Sequence, residues 1–512
     1  MSKNMYGLII MDGFGYPSDL SRSAVLEENT KNLRALADKY PSVLINASEL
    51  NVGLPEGQPG TSDVGHLTIG TGRIIYQPLV KINKEIESGA FFKNTELMNA
   101  IENAKLPGNA LHLMGIPSDG GVHGHINHLL ALLKMAKDND VKDVYIHFFS
   151  DGRDTPPQSA LTYIKTVEDY CAEIGLGKIV NVIGRLYALD RDKNWDRVEL
   201  AYNAMVKGEG HFAKSATEAI EMAYARGEND EFVVPTVIVD DNNQPLAVVN
   251  KNDSIISYDY RADRERQLAY VFDYENTLDF TDKTLRPYFV CMTEYDSTIK
   301  NVYVAYPTIK QENILSELLS EKGYKQLKVA ETEKFAYITF AFNDGRIDPY
   351  ENEDRILINS VKMKSYDGKP EMGAYEIADK TIEGIETGDY DVVVINFANC
   401  DMVGHSGNLE ATKQAVQVVD ECVDKVVKCL LKHNAKIIVT ADHGNADIMK
   451  YEDGSPNTSH TTNPVPFILI SDEMQDVKLR TDGNLSDVAP TLLDLMGIEK
   501  PNEMSGNTLI VH

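Results

Sequence analysis

The sequence predicts an α/β protein with two α/β domains, an outer one with a mainly parallel sheet and an inserted one. Three continuous apolar runs, each followed within four residues by an acid, indicate buried parallel strands. These runs are Tyr6–Met11 before Asp12, Val392–Phe397 before Asp401, and Lys436–Thr440 before Asp442. Apolar residues at helical spacing between positions 415 and 430 place a helix between the last two runs. The middle of the chain carries further strand and helix candidates of its own.

The domain organisation follows from chain length and from where the strands lie. The 512 residues exceed one ordinary compact domain, so at least two are expected. Residues 1–77 and 308–512 are interpreted as one discontinuous domain, and residues 78–307 as an insertion bounded by prolines. The elements predicted within the insertion are strands at Ala110–Gly115, Val144–Ser150 and Ile179–Gly184, and a helix at Ile126–Lys137.

Composition excludes several classes of function. The net charge of -28 argues against a nucleic-acid ligand, because nucleic-acid binders need a basic surface. The first apolar run, Leu8–Met11, is too short for a signal peptide or a membrane span, so no membrane is expected. The five cysteines are scattered and odd in number, which favours a reducing, cytoplasmic location.

Ser62 is the candidate nucleophile. It lies in the segment Gly60-Thr61-Ser62-Asp63-Val64-Gly65-His66, between a turn rich in Gly and Pro and a group of apolar residues. A helix is therefore predicted to begin near Thr61 or Ser62, where free N–H groups and the helix dipole favour an anion. A serine at that place is suited to carry a phosphoryl group; the alternative is that Thr61 or Ser62 only caps the helix.

A set of acids and histidines in the outer domain predicts a metal site. The candidates are Asp12, Asp401, His405, Asp442, His443 and His460. Asp401 and His405 are four residues apart, so one helical turn would place them on the same side. The number of ligands suits two ions with Ser62 as a bridge or neighbour, and mixed oxygen and nitrogen ligands favour Mn²⁺ or Zn²⁺ over Mg²⁺. We expect Mn²⁺, although a single Asp after a strand is more often a turn or cap residue, and a lone His is more often a hydrogen-bonded polar side chain without a ligand role.

The inserted domain carries an unusual set of arginines. They are Arg153, Arg185, Arg191, Arg261 and Arg264, each after a predicted strand or at the start of a helical segment. An acidic chain that binds an anion must concentrate its arginines locally, so the set favours an anionic ligand. The alternative for Arg153 and Arg191 is pairing with the neighbouring acids Asp151, Asp190 and Asp192.

Several motifs together resemble one enzyme family. They are Met11-Asp12-Gly13, Gly60 to Gly70, Gly121-Val122-His123, Asp151 to Pro157, Asp190-Arg191-Asp192, Arg261-Ala262-Asp263-Arg264, Thr332-Glu333-Lys334 and Asp442 to Asp447. In this order, over nearly the whole chain, they are similar to the cofactor-independent phosphoglycerate mutases. The outer half is shared more loosely with the alkaline phosphatase superfamily, so the outer domain is expected to be alkaline-phosphatase-like and the inserted one to be the transferase domain.

The resemblance implies an isomerase that interconverts 3-phosphoglycerate and 2-phosphoglycerate in glycolysis and gluconeogenesis without 2,3-bisphosphoglycerate. It implies two metal ions, one on Asp401, His405 and His460. The other would be held by Asp12, Ser62, Asp442 and His443. From the donor set we expect Mn²⁺, with Zn²⁺ or Co²⁺ possible. The substrate contacts implied are His123, Arg153, Asp154, Arg185, Arg191, Arg261, Arg264 and Lys334. The family expectation is a monomer.

The predicted mechanism is a phosphoryl shuttle within one bound molecule. Ser62 attacks the phosphorus, Lys334 assists the departing oxygen, and Asp154 exchanges protons between the 2- and 3-hydroxyls. Closure between the domains excludes water. Two other functions stay open: a phosphohydrolase, against which the arginine set, Asp154 and Lys334 argue, and a silent phospho-ligand binding protein, against which Ser62 and the full ligand set argue.

The chain departs from the family pattern at a few places. Pro59 and Thr61 replace the usual residues around Gly60, and Asp63 replaces a glutamate after the serine. Thr61 is still a competent cap, and Asp63 keeps an acid at the helix start. Gly124 replaces a common serine and is expected to loosen its loop. If residues 334–340 form a strand, Tyr337, in place of a histidine, points away from Lys334. Three further side chains are interpreted as structural: His66 as a packing or supporting residue, Cys400 as a buried thiol, and Asp447 as an ordinary cap or surface acid.

Overall fold

The computed structural model describes residues 5–512 and divides into two compact units. The first unit contains the residues up to Gln77 together with Lys310–His512, and the second contains Pro78–Ile309. Each unit has one largely parallel β-sheet, so the predicted α/β fold class is confirmed.

The strands are β1 (Tyr6–Met11), β2 (Ser42–Ile45), β3 (Leu111–Gly115), β4 (Val144–Ser150), β5 (Lys178–Gly184), β6 (His211–Ala213), β7 (Thr236–Ile238), β8 (Ser254–Ser257), β9 (Tyr288–Thr293), β10 (Tyr303–Tyr306), β11 (Gln326–Glu331), β12 (Glu353–Ile358), β13 (Val392–Phe397), β14 (Lys436–Thr440) and β15 (Val465–Ile470).

The α-helices are α1 (Lys31–Lys39), α2 (Ser62–Thr71), α3 (Pro78–Ser88), α4 (Thr95–Ala104), α5 (Ile126–Asp138), α6 (Ala160–Ile174), α7 (Arg185–Ala188), α8 (Trp195–Val206), α9 (Ala216–Ala225), α10 (Ala262–Phe272), α11 (Leu315–Glu321), α12 (Thr332–Ala336), α13 (Ala374–Thr387), α14 (Asn399–Gly404), α15 (Leu409–Lys432) and α16 (Val488–Leu495).

The first unit's sheet has the order β12-β11-β13-β1-β14-β15-β2, with only β15 running antiparallel to its neighbours. Leu8, Ile9 and Ile10 of β1 are fully buried in its core, and burying each such side chain stabilises the fold by roughly 1.5–3 kcal/mol. Tyr6 lies opposite both Val392 of β13 and Lys436 of β14. Because the three strands are parallel and in register, their carboxyl ends meet at one edge of the sheet.

The predicted helix between β13 and β14 is confirmed as α15. The Asn408 side chain accepts a hydrogen bond from the Ala411 N–H and so caps its start. Most of the predicted apolar positions, among them Val419 and Val426, are buried and belong to the same core as β1. Val418 is partly buried, and Ala415 packs in a smaller separate cluster. This helix connects two strands whose carboxyl ends carry acids.

The second unit's sheet has the order β10-β9-β8-β3-β4-β5-β7-β6, in which only the β5 to β7 pairing is antiparallel. Strands β3, β4 and β5 and helix α5 match the elements predicted there to within one residue at each end. Within residues 5–512 no helix combines the length and the apolar character needed to cross a membrane. All five cysteines are free and buried.

Candidate active site

Ser62 is the first residue of helix α2, as predicted. Thr61 precedes it in an extended conformation, with φ -136° and ψ 158°, but its hydroxyl bonds to the Asp63 carboxylate rather than to a backbone N–H. Thr61 therefore occupies the N-cap position, but its side chain accepts no hydrogen bond from the helix. Gly60 has no room for a side chain, because a Cβ would lie 2.1 Å from the Ala47 carbonyl oxygen. The tight turn leaves Ser62 buried at the start of the helix.

The Ser62 hydroxyl contacts three charged or ionisable groups. Its Oγ lies 2.6 Å from Lys334 Nζ, 3.0 Å from His443 Nε2 and 3.3 Å from Asp12 Oδ1. A neighbouring ammonium stabilises the deprotonated form of a hydroxyl. The arrangement is therefore suited to a serine that acts as a nucleophile.

The strand-end acids meet around this serine. Asp12 follows β1, Asp401 lies in α14 just after β13, and Asp442 follows β14. The Lys334 ammonium lies between two of them, 2.7 Å from Asp12 Oδ1 and 2.6 Å from Asp401 Oδ2. We call Asp12, Ser62, Lys334, Asp401, Asp442 and His443 the Ser62 cluster.

The acids keep Lys334 charged. Burial by itself lowers the pKa of a lysine, but the carboxylates of Asp12, Asp401 and Asp442 outweigh it and raise the pKa of Lys334 above its ordinary value. In return, Lys334 and the nearby imidazoles hold the pKa of Asp401 well below its usual range, although burial opposes them. The cluster therefore holds a permanent cation 2.6 Å from the serine oxygen.

The segment after Lys334 is not a strand, so the expectation that Tyr337 points away from the site is wrong. Strand β11 ends at Glu331, and the chain continues as helix α12 and a π-helical turn, Tyr337–Ala341. Residues three apart share a helix face. Lys334 Nζ accordingly lies 5.2 Å from the centre of the Tyr337 ring, within cation–π range.

Asp401, His405 and His460 form the first predicted ligand group. Asp401 Oδ1 lies 3.2 Å from His405 Nε2 and 3.0 Å from His460 Nε2, and the two Nε2 atoms are 3.2 Å apart. Each Nδ1 lies 2.8 Å from a backbone carbonyl and donates its proton there, so each Nε2 is an acceptor when the imidazole is neutral, the form that binds a metal. Three acceptors that converge without a donor between them fit a bound cation.

Asp12, Asp442 and His443 form the second group, next to Ser62. Their ligand atoms all lie within 4.8 Å of one another, as do those of Asp401, His443 and His460. Burial and the Asp442 carboxylate raise the pKa of Asp12, so the two acids need a positive partner. Both groups offer carboxylate oxygen and imidazole nitrogen without a thiolate, a donor set that fits Mn²⁺, Zn²⁺ or Co²⁺.

Two supporting residues lie behind the Ser62 cluster. Asn396 Nδ2 donates to Asp12 Oδ2 at 2.9 Å and lies 3.0 Å from His66 Nε2. Because the amide nitrogen only donates, His66 Nε2 is an acceptor and its Nδ1 donates to the Ser62 carbonyl oxygen, 2.7 Å away. Sequence reasoning did not identify Asn396. The signal available was a single polar residue inside the apolar run of β13.

Asp447 is fully buried, so its interpretation as an ordinary cap or surface acid is wrong. Its Oδ2 accepts hydrogen bonds of 2.7 Å from both Thr461 and Asn463, while Oδ1 has no hydrogen-bond partner. Thr461 also pairs through its backbone with Gly444. Asp447 thus ties the segment that carries His460 to the one that carries His443.

We expect Asp447→Ala to weaken Mn²⁺ binding by about 10- to 100-fold, the usual cost of losing a group that orients metal ligands. Equilibrium dialysis with Mn²⁺ measures this, and Asp447→Asn, which keeps the size and one acceptor, serves as the control and should lose less. Unchanged Mn²⁺ affinity in Asp447→Ala would show that Asp447 does not help to position the metal ligands.

In the second unit, Arg185 is the centre of the predicted substrate contacts. It is buried and contacts Asp154 Oδ2 at 2.5 Å, Asp151 Oδ1 at 2.6 Å and His123 Nε2 at 2.8 Å. Burial, reinforced by the Arg185 charge, lowers the pKa of His123 to about 4. The imidazole is therefore neutral at pH 7, and its Nε2 accepts a hydrogen bond from Arg185.

The other predicted arginines lie around this centre. The Asp263 carboxylate accepts from Arg191 at 3.0 Å and from Arg261 at 2.9 Å, while Arg153 lies 3.5 Å from Glu231. The side chains of Arg153 and Arg191 thus pair with Glu231 and Asp263. The sequence analysis considered the neighbouring acids Asp151, Asp190 and Asp192 as their alternative partners. We call His123, Arg153, Asp154, Arg185, Arg191, Arg261 and Arg264 the arginine cluster.

The arginine cluster is electrostatically suited to an anion. Burial, followed by the charges of Arg185, Arg191 and Arg153, lowers the pKa of Arg264. Arg153, Arg191 and Arg261 each leave about half of the side chain exposed. The cluster therefore combines a positive potential with donors that a carboxylate or phosphate can reach.

Gly124 does not loosen its loop, contrary to expectation. A Cβ at this position would lie 1.9 Å from Asp259 Oδ1, so the glycine allows close packing against a buried acid. That acid accepts from the Ile116 N–H at 2.8 Å and holds the loop that carries His123. Burial raises the pKa of Asp259 to about 7, and that of Glu265 well above its ordinary value.

We expect Asp259→Asn to raise the midpoint of thermal unfolding by a few degrees at pH 8 and by less at pH 5. The folded pKa of Asp259 is raised from 3.8 to about 7. The stability that Asp259 contributes is therefore fully present below pH 3.8 and is lost as the pH rises through 7. The amide of an asparagine is neutral at every pH, so the variant does not lose this stability. The exposed Asp143→Asn is the control, and an equal effect of Asp259→Asn at both pH values would contradict the account.

Two family models match the sequence. "BPG-independent PGAM N-terminus" matches residues 82–297 and "Sulfatase" matches residues 250–498. The 2,3-bisphosphoglycerate-independent phosphoglycerate mutase of Clostridioides difficile is 51% identical over 511 residues, which cover 100% of both chains. The enzyme of that name from Methanococcoides burtonii is 49% identical and covers 99% of both chains.

A solved structure is also similar over the whole chain. It is a crystal structure of the phosphoglycerate mutase of Leishmania mexicana, obtained at low cobalt concentration. The TM-score is 0.58 and the sequence identity is 29%. The match covers 99% of this chain and 98% of that one.

Proposed function

This chain belongs to the 2,3-bisphosphoglycerate-independent phosphoglycerate mutases, and from that membership we propose that Ser62 carries the phosphoryl group during the reaction. The chain is an isomerase that acts on phosphoglycerates, and the family resemblance of its motifs is confirmed. One observation supports the proposal for Ser62 most strongly: its buried Oγ lies 2.6 Å from the Lys334 ammonium and 3.0 Å from His443.

Ser62 Oγ attacks the phosphorus of 3-phosphoglycerate, the bond to the 3-oxygen breaks, and the phosphoryl group is transferred to Ser62. Lys334 Nζ donates hydrogen bonds to the phosphoryl oxygens and the departing oxygen as negative charge develops on them. His66 and Asn396 keep the serine and Asp12 in place. The reverse attack by the 2-hydroxyl then regenerates Ser62 and forms 2-phosphoglycerate.

The arginine cluster holds the glycerate while the phosphoryl group is on Ser62. Arg261 and Arg191 are suited to its carboxylate, since a guanidinium binds a carboxylate through two donors. Asp154 acts as general base and then acid: burial opposes it, but Arg185 lowers its pKa, so it begins as the carboxylate, removes the proton of the 2-hydroxyl and passes it to the 3-oxygen. Ser62 attacks, and is regenerated, in its deprotonated form, so no net proton is taken up or released. Arg185 sets the position of Asp154. The reaction consumes no water and no bisphosphoglycerate.

Two divalent cations are proposed, one on Asp401, His405 and His460. The other is assigned to Asp12, Ser62, Asp442 and His443. A divalent cation at these ligands lowers the pKa of a hydroxyl and compensates the charge of phosphoryl oxygens. We assign Mn²⁺, with Zn²⁺ or Co²⁺ as substitutes, because these ions share the ligand preferences of the site.

We also assign residues 1–77 and 308–512 to the metal-binding domain and residues 78–307 to the substrate-binding domain. The enzyme is proposed to act as a cytoplasmic monomer. Five free cysteines suit a reducing compartment, and a net charge of -28 opposes both self-association and nucleic-acid binding.

The test is ³¹P NMR of 3-phosphoglycerate with Mn²⁺-loaded protein and no added bisphosphoglycerate. A 2-phosphoglycerate resonance that reaches equilibrium without free phosphate supports the mutase. Free phosphate as the main product would assign the chain to the phosphohydrolases, and an unchanged spectrum with Mn²⁺, Co²⁺ and Zn²⁺ each tried would indicate a binding protein.

We expect Arg261→Ala to raise the KM for 3-phosphoglycerate roughly tenfold or more, since a charge-assisted hydrogen bond contributes about 1.5–3 kcal/mol. Steady-state kinetics measure this. Arg266→Ala is the matched control, because it removes the same charge from an exposed position in α10, the helix that begins directly after Arg261. An unchanged KM in Arg261→Ala would remove this residue from the substrate contacts.

A further inference from the structure

Outside both clusters, a cysteine, a histidine and a glutamate converge on one point of the first unit. Cys429 Sγ lies 3.5 Å from Glu386 Oε1, and His433 Nε2 lies 3.7 Å from Glu386 Oε2. The three ligand atoms all lie within 4.8 Å of one another. This spacing is similar to that between neighbouring ligands of a tetrahedral zinc ion, whose bonds are about 2.0–2.3 Å long.

Helix geometry produces this arrangement. Cys429 and His433 are four residues apart at the end of α15, so they lie on the same face. Glu386 is in the last turn of α13, which packs against α15. The carboxyl ends of both helices meet here, and the negative ends of two helix dipoles favour a cation.

The three residues lie away from the Ser62 cluster. Helix α13 leads into β13 and α15 leads into β14, so the carboxyl ends of both helices lie at the amino edge of the sheet. The acids of the Ser62 cluster follow the carboxyl ends of the same strands. The mutase reaction therefore makes no use of this group.

We propose that Glu386, Cys429 and His433 bind one Zn²⁺ ion that joins the ends of α13 and α15. The mixed thiolate, imidazole and carboxylate set matches the preference of Zn²⁺ and differs from the Ser62 cluster, which has no thiolate. The Glu386 side chain is 56% exposed and that of His433 32%, so water can fill the fourth position.

Binding exchanges a proton for the metal. Burial, together with the Glu386 carboxylate, raises the pKa of the Cys429 thiol to about 11, so the thiol is protonated at pH 7 without metal. Formation of the zinc–sulfur bond breaks the S–H bond and releases one proton to solvent, and the imidazole binds in its neutral form. Zinc affinity at this site should therefore rise with pH.

The experiment is a titration of the full-length protein with Co²⁺ as a spectroscopic substitute for Zn²⁺. A thiolate-to-cobalt charge-transfer band reports this site alone, because the Ser62 cluster offers no sulfur. We expect the band in the wild type and in Cys422→Ser, which removes another buried cysteine of α15, and its loss in Cys429→Ser and His433→Ala.

Zn²⁺ should abolish the band, and metal analysis after dialysis against Zn²⁺ should find one ion fewer per chain in Cys429→Ser than in the wild type. Mutase activity should be unchanged in Cys429→Ser and His433→Ala. Absence of the band in the wild type, or its persistence in Cys429→Ser, would overturn the proposal.

Discussion

Replacing Ser62 with alanine will abolish mutase turnover and leave the affinity for 3-phosphoglycerate within about tenfold of the wild type, a change of 1.4 kcal/mol or less. In the proposed mechanism the serine oxygen is the group that accepts the phosphoryl, whereas the arginine cluster supplies substrate binding. The two effects separate in a comparison of kcat with the dissociation constant from isothermal titration calorimetry. Loss of kcat without loss of binding is typical of an interaction made only in the transition state.

The matched control for this variant is Ser471→Ala, which removes a buried serine of the same unit outside the Ser62 cluster. It should keep wild-type turnover. Turnover at the wild-type rate in Ser62→Ala would contradict the covalent mechanism.

Replacing Lys334 with methionine will lower kcat on the order of 10³-fold, the usual loss on removing a donor aimed at developing negative charge. The same change leaves Asp12 and Asp401 without their buried cation, and breaking a buried ion pair costs about 3–5 kcal/mol. Thermal unfolding without metal should therefore shift downward, and Mn²⁺ should recover much of the shift.

Lys325→Met is the control for Lys334, since it removes the same charge from an exposed position just before β11. Its kcat and unfolding midpoint should match the wild type. A Lys334→Met enzyme with wild-type kcat would show that the ammonium takes no part in phosphoryl transfer.

The parts of the site predicted from sequence are those fixed by local geometry. Asp12 and Asp442 were found because each directly follows an apolar run, and parallel strands bring such ends together. Asp401 and His405 were found because four residues span one helical turn. Ser62 was placed correctly at a helix start by the loop before it and the apolar residues after it.

The parts that were missed depend on contacts between distant segments. Asp447 looks like a surface acid in sequence, and only the segments of Thr461 and Asn463 folded over it make it buried. Asn396 supports Asp12 across neighbouring strands. The partner of Gly124 is an acid 135 positions further along the chain, Asp259.

Tyr337 shows a different kind of error. The short apolar segment from residue 335 to 342 is compatible with either a strand or a helix, because the spacing of its apolar residues does not distinguish the two structures. Helical spacing brings Tyr337 onto Lys334, whereas strand spacing would have separated them.

The most direct test of the central claim is to trap phosphorylated Ser62. The Mn²⁺-loaded enzyme is mixed with 3-phosphoglycerate, quenched with acid within one turnover, digested, and mapped by mass spectrometry. We expect phosphate on the Ser62 peptide of the wild type and none in Ser62→Ala. An enzyme that forms 2-phosphoglycerate while no quench time captures phosphate on Ser62, or that carries it on another residue, would contradict the account.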